Sequence, residues 1–528
     1  MTTDCIIVGG GHNGLIAAGY LARAGRKVTV LERREVVGGC CVTEERYPGF
    51  KMSVTSYVVS LLLPQVVRDL ELKKYGYDFI VRDPSSLAAF PDGRTLRFFA
   101  DGEKTRAEIA RFSQKDAEAW GPYHAQLERL AQFAERILTA VPPDISVKNP
   151  FSLVSSLPLA LHAWHLSAAD RAKQIELLSS SAADYLDRFF ESEQLKAVLA
   201  TDGIIGAFAG PRTPGTAYVL LHHVMGGVDG RRGVWGYVRG GMGGLTQALA
   251  RSAEAHGATI RTSSPVKRIL VQNGRAIGVE LESGETIKAR QVLSNADPNR
   301  TFLQMVGRDQ LPGEFADAVA AIRYRSASFK VNLALSGLPT FTHLPAGANP
   351  REWLTGTIHF SQSIDQMERA FDQAKYGHPS ERPVVEACIP SLLDDSIAPP
   401  GQHFMSMFCQ YAPYQLAEGK WDQARKDAFV ESVIRVAEEF APDIRSKILH
   451  IHALSPADLE TEFGLTGGSL FHGDMTTDQL FSMRPVAGWS GYTTPIEGLL
   501  LCGSGAHPGG GVMGACGYNA ARVALKQT

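Results

Sequence analysis

Residues 1–39 read MTTDCIIVGGGHNGLIAAGYLARAGRKVTVLERREVVGG, and the fold turns on how Gly9 to Gly14 is read. Cys5-Ile6-Ile7-Val8 is a short apolar run of the kind buried in a parallel sheet. Leu15 to Ala24 is alanine-rich and predicts a helix closed by Gly25. Lys27 to Glu32, KVTVLE, predicts a second strand. Together they form a βαβ unit of the usual size. Gly9 makes the tight turn out of the strand. Gly11 lets the backbone approach a pyrophosphate at the helix N-terminus, and Gly14 lets helix and strand pack closely. His12 and Asn13 belong to the same cofactor loop. Glu32 lies eighteen residues past Gly14. It is placed to accept hydrogen bonds from a ribose diol and would repel a 2′-phosphate.

That fingerprint serves FAD and NAD alike, and two further stretches separate them. In ERREVVGGCC, Glu32 to Cys41, the pair Gly38-Gly39 follows Arg33 and Arg34. An extended cofactor needs a second close backbone approach there, so Arg33, Gly38, Gly39 and Cys40 join the expected site. The other stretch is GLLLCGSGAHPGGGVMGACGYNAARVAL, Gly498 to Leu525. Gly498 to Cys502 predicts a strand, Gly509 to Gly514 repeats the GxGxxG pattern, and Ala515 to Leu525 predicts a helix. Only fourteen residues follow Gly514, too few for a second βαβ unit. This loop is expected to fold back onto the first site, with Gly503, Gly510, Gly511, Val512 and Met513 against the middle of one long cofactor, FAD. A third stretch, Gly240 to Gly244, opens a helix from Leu245 to His256. Strands follow at Ala258–Thr262 and Val266–Val271, with Val266 expected near the adenine. Ala289 to Pro298 reads as the strand that returns to the first sheet.

These pieces resemble the phytoene (carotenoid) desaturase group of flavoproteins, within the wider amine-oxidase-like FAD superfamily. The motifs that carry the likeness are the N-terminal loop with Gly38-Gly39, GGMGGL at Gly240–Leu245 and GSGAHPGGGVMG at Gly503–Gly514. The tail from Phe471 to Gly517 resembles most a subgroup named for a pyridine nucleotide-disulfide oxidoreductase domain. The resemblance implies an α/β fold: a Rossmann-like FAD-binding domain of the amine-oxidase/glutathione-reductase-2 type with an inserted α+β substrate or cap domain. It also implies FAD contact around Gly503–Gly514. The disulfide chemistry in the subgroup's name finds no CxxC here, and Cys40-Cys41 reads as packing. No polyene-binding or membrane-anchoring signature carries over residue by residue.

Three separated stretches, roughly 1–75, 235–300 and 480–528, are expected to build the FAD domain. Residues 76–234 and 301–479 are left for the substrate and cap side. Helices are predicted at Thr105–Arg111, Ala117–Leu138, Ala169–Ser181 and Gln423–Phe440, and a strand at Ser328–Gly337. Gly226 to Gly241, with seven glycines, reads as a long loop that could gate the site.

The 528 residues carry a net charge of −2, which gives no basic footprint for nucleic acid. Seven cysteines without a CxxC pair argue against a disulfide framework and for a reducing, cytoplasmic setting. The glycine loop begins at residue 9, leaving no room for a cleaved leader that would spare the first strand. Asn149 to Ala169 lacks Asp, Glu, Lys and Arg but contains Pro150 and Pro158. It reads as a buried or substrate-lining segment, with peripheral membrane contact as the alternative. The subunit count stays open, a homo-oligomer included.

A flavin accepts a hydride at its own ring nitrogen, so the protein must chiefly hold a substrate C–H against it and exclude water. His507, in GAHPGGG, is the first candidate for a catalytic group, with Arg484 and Tyr492 second. Ser56 and Tyr57 are expected to pack. His222-His223, His450-x-His452 and His162-x-x-His165 lack the ligand spacing of a metal site, so none is expected. The reading is an FAD-dependent oxidoreductase that dehydrogenates or desaturates an apolar or partly apolar small molecule and passes electrons to oxygen, a quinone or another acceptor. The alternatives are an amine or amino-acid oxidase, a flavin-dependent isomerase or hydratase, and a flavin-stabilised interaction protein.

Overall fold

The computed structural model describes residues 3–143, 167–228, 231–232, 234–360 and 363–527. Two seven-stranded sheets organise it. The first gathers strands from three distant parts of the chain. Thr3–Val8 lies between Val28–Leu31 and Thr286–Ser294, parallel to both, and Thr259–Arg261 extends the parallel set beyond Val28–Leu31. Leu499–Leu501 adds the last parallel strand beside Thr286–Ser294. The first half of Thr286–Ser294 instead pairs antiparallel with Arg275–Leu281, which turns back on Val266–Gln272. Ile6 and Ile7 are fully buried, as expected of a strand covered on both faces.

The helix His12–Arg23 follows directly from this strand. Nine of its twelve residues are buried, because the helices Ala515–Lys526 and Gly243–Ala255 both pack on it. Its small residues make that double contact possible. A Cβ on Gly14 would stand 2.2 Å from the Gly9 carbonyl oxygen, and a Cβ on Gly517 would stand 2.1 Å from the Asn13 carbonyl oxygen.

The second sheet runs in the order Ile448–Leu454, Ser328–Leu335, His403–Gln410, Val384–Cys388, Thr357–His359, Ser86–Ala89, Thr95–Phe98. Every residue of Ser328–Leu335 is buried. Phe329, Val331, Leu333 and Leu335 pack with Phe429, Val433 and Ala437 of the helix Gln423–Glu438. The alternate residues face the other way. Ala334 packs with Phe50, Met52 and Phe404, and the Asn332 amide donates to the Val54 carbonyl at 3.0 Å. The inner face of the second sheet therefore abuts the chain that leaves the N-terminal βαβ unit. The long helix Gln114–Leu138 caps the space between with Trp120, Tyr123, Leu127 and Ala131.

Two local expectations change. The helix expected over Ala169–Ser181 is Ala168–Ser179, and a second helix, Ala182–Asp187, starts from Ser181 as its own cap. Ser181 accepts from the Asp184 N–H, which gives the backbone a fresh start there. The glycine-rich stretch Gly226–Gly241 is not one long free loop. Gly227–Val228 pairs with Arg231–Arg232, and Gly236–Val238 pairs with Phe79–Val81. Gly236 also exchanges backbone bonds with Val59, so the described residues of this stretch are paired in short ladders. The apolar segment Asn149–Ala169, up to residue 166, lies outside the described residues, and so do His162 and His165.

Candidate functional site

The two ends of the polypeptide meet at Asn13. Its amide nitrogen donates to Ser504 Oγ at 3.3 Å, and its amide oxygen accepts from the Gly517 N–H at 3.3 Å. One side chain of the first glycine loop thus ties both ends of the C-terminal loop. Gly11 and Gly38 form a backbone bridge, and Gly38 N–H donates to the Gly10 carbonyl at 2.9 Å. A Cβ on Gly39 would come within 3.3 Å of Gly11 Cα, and Gly9 and Gly39 both have positive φ. Gly503 runs so close to Asn295 that a Cβ would meet its carbonyl oxygen at 2.5 Å. These contacts make a narrow backbone cradle at the N-terminus of a helix, the setting that favours a pyrophosphate.

Glu32 is buried at the end of its strand. Its Oε2 accepts from the Gly10 N–H at 2.8 Å and its Oε1 from the Arg34 N–H at 2.9 Å. Each oxygen keeps a further lone pair, so the carboxylate stays competent for a ribose diol. Ser264 N–H donates to the Glu32 carbonyl at 2.8 Å, and Val266 starts its strand two residues on, beside the same turn. The Arg33 guanidinium is committed elsewhere, to the carbonyls of Thr461 and Glu462.

A cavity of about 780 Å³ opens from this cradle. His12, Cys40, Cys41, Ser504, Gly511 and Val512 line its near end. Phe98, Phe99, Trp120, Tyr123 and Leu127 form an apolar wall. His12 Nε2 is buried without a hydrogen-bond partner, and burial holds the ring down to about 4, so it is neutral. Cys40 has its thiol pushed up to about 12 by burial, and burial also raises Cys41. Neither is a reactive thiolate. All seven cysteines are free.

The C-terminal loop is held by groups that do not line the cavity. His507 is 1% exposed, its Nε2 bonds the Ile137 carbonyl at 2.9 Å, and burial lowers it to about 4. Tyr492 Oη donates to the His507 carbonyl at 2.7 Å and accepts from the Asn519 amide. Buried Arg484 donates to the carbonyls of Ser504, Asp474, Gln479 and Phe471. His222 Nε2 holds the Gly510 carbonyl at 3.0 Å, and the Leu63 N–H holds Met513. The geometry makes His507, Arg484 and Tyr492 a scaffold that shapes the loop.

The floor of the cavity carries groups that the motifs did not reveal. Glu386 and His359 come from the second sheet, Arg82 and Asp202 from its surroundings, and all four line the cavity. Lys330 lies behind Tyr57, with Nζ 4.1 Å from the Tyr57 ring centroid and a bond to Ser406 Oγ. Burial lowers its amine to about 7. The available signal was a charged residue inside an apolar strand, SFKVNLAL for Lys330 and VVEAC for Glu386. Among the described residues no cluster of His, Cys, Asp and Glu has the geometry to hold a metal ion, and no helix is long and apolar enough to cross a membrane.

Comparison with known proteins supplies the class. The family profile described as Flavin containing amine oxidoreductase matches residues 14–525. Pyridine nucleotide-disulfide oxidoreductase domain-containing protein 2 of Rattus norvegicus is 44% identical over 541 residues, which cover 99% of this chain and 93% of that protein. The neurosporene-forming phytoene desaturase of Cereibacter sphaeroides is 26% identical over 97% of this chain and 92% of its own. Among solved structures, a triple mutant of putrescine oxidase superposes with a TM-score of 0.60 at 16% identity, covering 99% of this chain and 98% of that one. At that identity the likeness is one of fold.

Proposed function

The chain belongs to the flavin-containing amine oxidoreductase family, and from that premise we propose that it dehydrogenates or desaturates a partly apolar small molecule. It is an FAD-dependent oxidoreductase, and the cradle fits FAD: a helix N-terminus beside closely apposed glycines, a buried acid at the ribose position and an enclosed cavity beyond. In this reading Gly9, Gly11, His12, Asn13 and Gly14 hold the pyrophosphate. Glu32 holds the ribose and Val266 the adenine. Gly38, Gly39, Cys40, Gly503 and Gly510 to Met513 enclose the flavin. Bound FAD supplies the hydride acceptor.

The observation that carries the substrate reading is the wall of Phe98, Phe99, Trp120, Tyr123 and Leu127, continuous with the cradle. Such a wall orients an apolar chain and excludes water. A relative that is a phytoene desaturase by name supports the same direction. Removing two hydrogens also releases a proton. Lys330, whose amine burial lowers to about 7, lies behind the Tyr57 ring and outside the cavity lining, so it is not placed to take that proton directly. Oxygen or a quinone would reoxidise the enzyme. A second reading, amine oxidation, is favoured by one observation: two carboxylates, Asp202 and Glu386, line the cavity.

Anaerobic mixing with a panel of apolar alcohols, alkenes and amines tests the reaction. Loss of flavin absorbance near about 450 nm with the apolar members supports dehydrogenation. Bleaching by amines alone would replace it with the second reading. No bleaching by any member of a broad panel would favour an isomerase or a flavin-stabilised interaction protein.

A further inference from the structure

A single row of side chains runs from Lys330, behind Tyr57, onto the cavity floor at Phe408, Glu386 and His359. Lys330 is the direct partner of Phe408, Phe408 of Glu386, and Glu386 of His359. Direct partners project from the same face of a sheet. With neighbouring strands about 4.8 Å apart, Glu386 stands about 10 Å from Lys330, and His359 one strand further. Asp202, at the end of the helix Glu193–Thr201, and Arg82, just past Phe79–Val81, close this far corner.

The corner holds more hydrogen-bonding capacity than the protein uses. Arg82 is already engaged: Nε donates to the Trp235 carbonyl at 3.2 Å, Nη1 to Thr357 Oγ1 at 3.0 Å, and Cys388 Sγ lies at 3.6 Å. Glu386 is 4% exposed, yet its Oε1 has no hydrogen bond. His359 Nδ1 lies 3.2 Å from that oxygen as an ion-pair contact, but neither atom makes a hydrogen bond. Asp202, half-buried, lines the cavity beside them. Buried polar atoms are rarely left this way unless something else bonds them.

We propose that Asp202, Glu386 and His359 form a headgroup subsite for a hydroxyl, and that the substrate is an otherwise apolar molecule ending in an alcohol. This rests on the reading of the chain as a dehydrogenase of a partly apolar molecule. Burial and the nearby Glu386 push Asp202 up to about 7, against the pull of His359 and Arg82. Below about pH 7 Asp202 therefore offers an O–H donor, and the unbonded Oε1 of Glu386 is the acceptor beside it. A hydroxyl both donates and accepts, and it matches this pair without changing the charge of the corner. A hydrocarbon would leave the same atoms unpaired. A carboxylate would face Glu386 at close range. An ammonium would bring a second cation beside the Arg82 guanidinium. The wall of Phe98, Trp120, Tyr123 and Leu127 takes the apolar remainder.

The test is binding to the FAD-loaded enzyme under anaerobic conditions, read by the fluorescence of Trp120 and Trp235 and by perturbation of the flavin spectrum. The probes are 1-decanol, decylamine, decanoic acid and decane. Decanol should bind at least about tenfold more tightly than the other three, the weight of one or two buried hydrogen bonds. Its affinity should fall as pH rises through about 7, where Asp202 loses its proton; the groups facing it are Glu386, His359, Arg82, His223, Tyr57 and Tyr123. D202N, which keeps a donor and an acceptor, should retain decanol binding and lose the pH dependence, whereas D202A should weaken it about tenfold. Equal or tighter binding of decane, decylamine or decanoic acid overturns the subsite, and so does failure of decanol to bind up to its solubility limit. The wild-type series decides this even where a variant fails to fold. Decanol that binds without bleaching the flavin supports the subsite and counts against the dehydrogenase reading. Decane that bleaches it as fast as decanol does the reverse.

Discussion

The cradle and the cavity floor are built on opposite principles. The cradle is backbone: Gly9 to Gly14, Gly38-Gly39 and Gly503 to Gly514 position N–H groups by having no side chains in the way. The floor is side chain: Glu386, His359, Arg82 and Asp202, with Lys330 behind them, are charged or titratable groups held in an apolar enclosure. The first arrangement suits a large, invariant cofactor. The second can change from one family member to another without disturbing the fold, which is how one scaffold serves relatives with different substrates.

The sharpest way to break the comparison is to substitute Gly14. A Cβ there would meet the Gly9 carbonyl oxygen at 2.2 Å, so Gly14→Val should leave the purified protein without bound flavin. Its readout is FAD released on denaturation. Next in size is Asn13→Ala, which removes both bonds that tie Ser504 and Gly517 to the first loop. Two such bonds are worth about 1–3 kcal/mol, so flavin affinity should fall about tenfold or more in an equilibrium titration. Full retention of flavin in either variant would mean that the two ends do not share one cofactor.

The floor responds to pH instead. Burial lowers Lys330 to about 7 from the 10.5 of an exposed lysine. Between those values the unfolded chain binds a proton that the folded chain does not, so this residue's contribution to stability rises with pH across that window. Lys330→Met should raise Tm most at and below about pH 7, and the gain should fade as pH climbs toward about 10. A gain independent of pH would remove the depressed amine from the account. His507→Leu should have the smallest effect: loss of the bond to the Ile137 carbonyl costs about 1 kcal/mol. The pH profile of flavin reduction should stay in place. A displaced profile would return His507 to the chemistry.

The same contrast explains what could be read in advance. The cradle was legible because a strand, a glycine turn and a helix are written in consecutive residues, and Glu32 lies at a fixed distance from Gly14. The closing of both ends on one site followed from arithmetic, since too little chain remains after Gly514 for a second unit. Asn13, the side chain that ties the ends, could be placed in the loop but not given its partners. The floor was illegible because it depends on register. Lys330, Phe408, Glu386 and His359 become neighbours only when four strands from distant segments pair as they do. A charged residue in an apolar strand was visible, but its neighbours were not. His507 drew notice because it borders a motif, while its ring is spent on Ile137, more than three hundred residues away.

The most direct measurement is the flavin content of the purified chain, by absorbance and mass spectrometry, for the wild type beside Gly14→Val and Glu386→Gln. The expected result is one FAD per chain in the wild type and in Glu386→Gln, and none in Gly14→Val. A wild-type chain that carries no flavin and takes up none when FAD is added would contradict the claim that its two ends close around that cofactor.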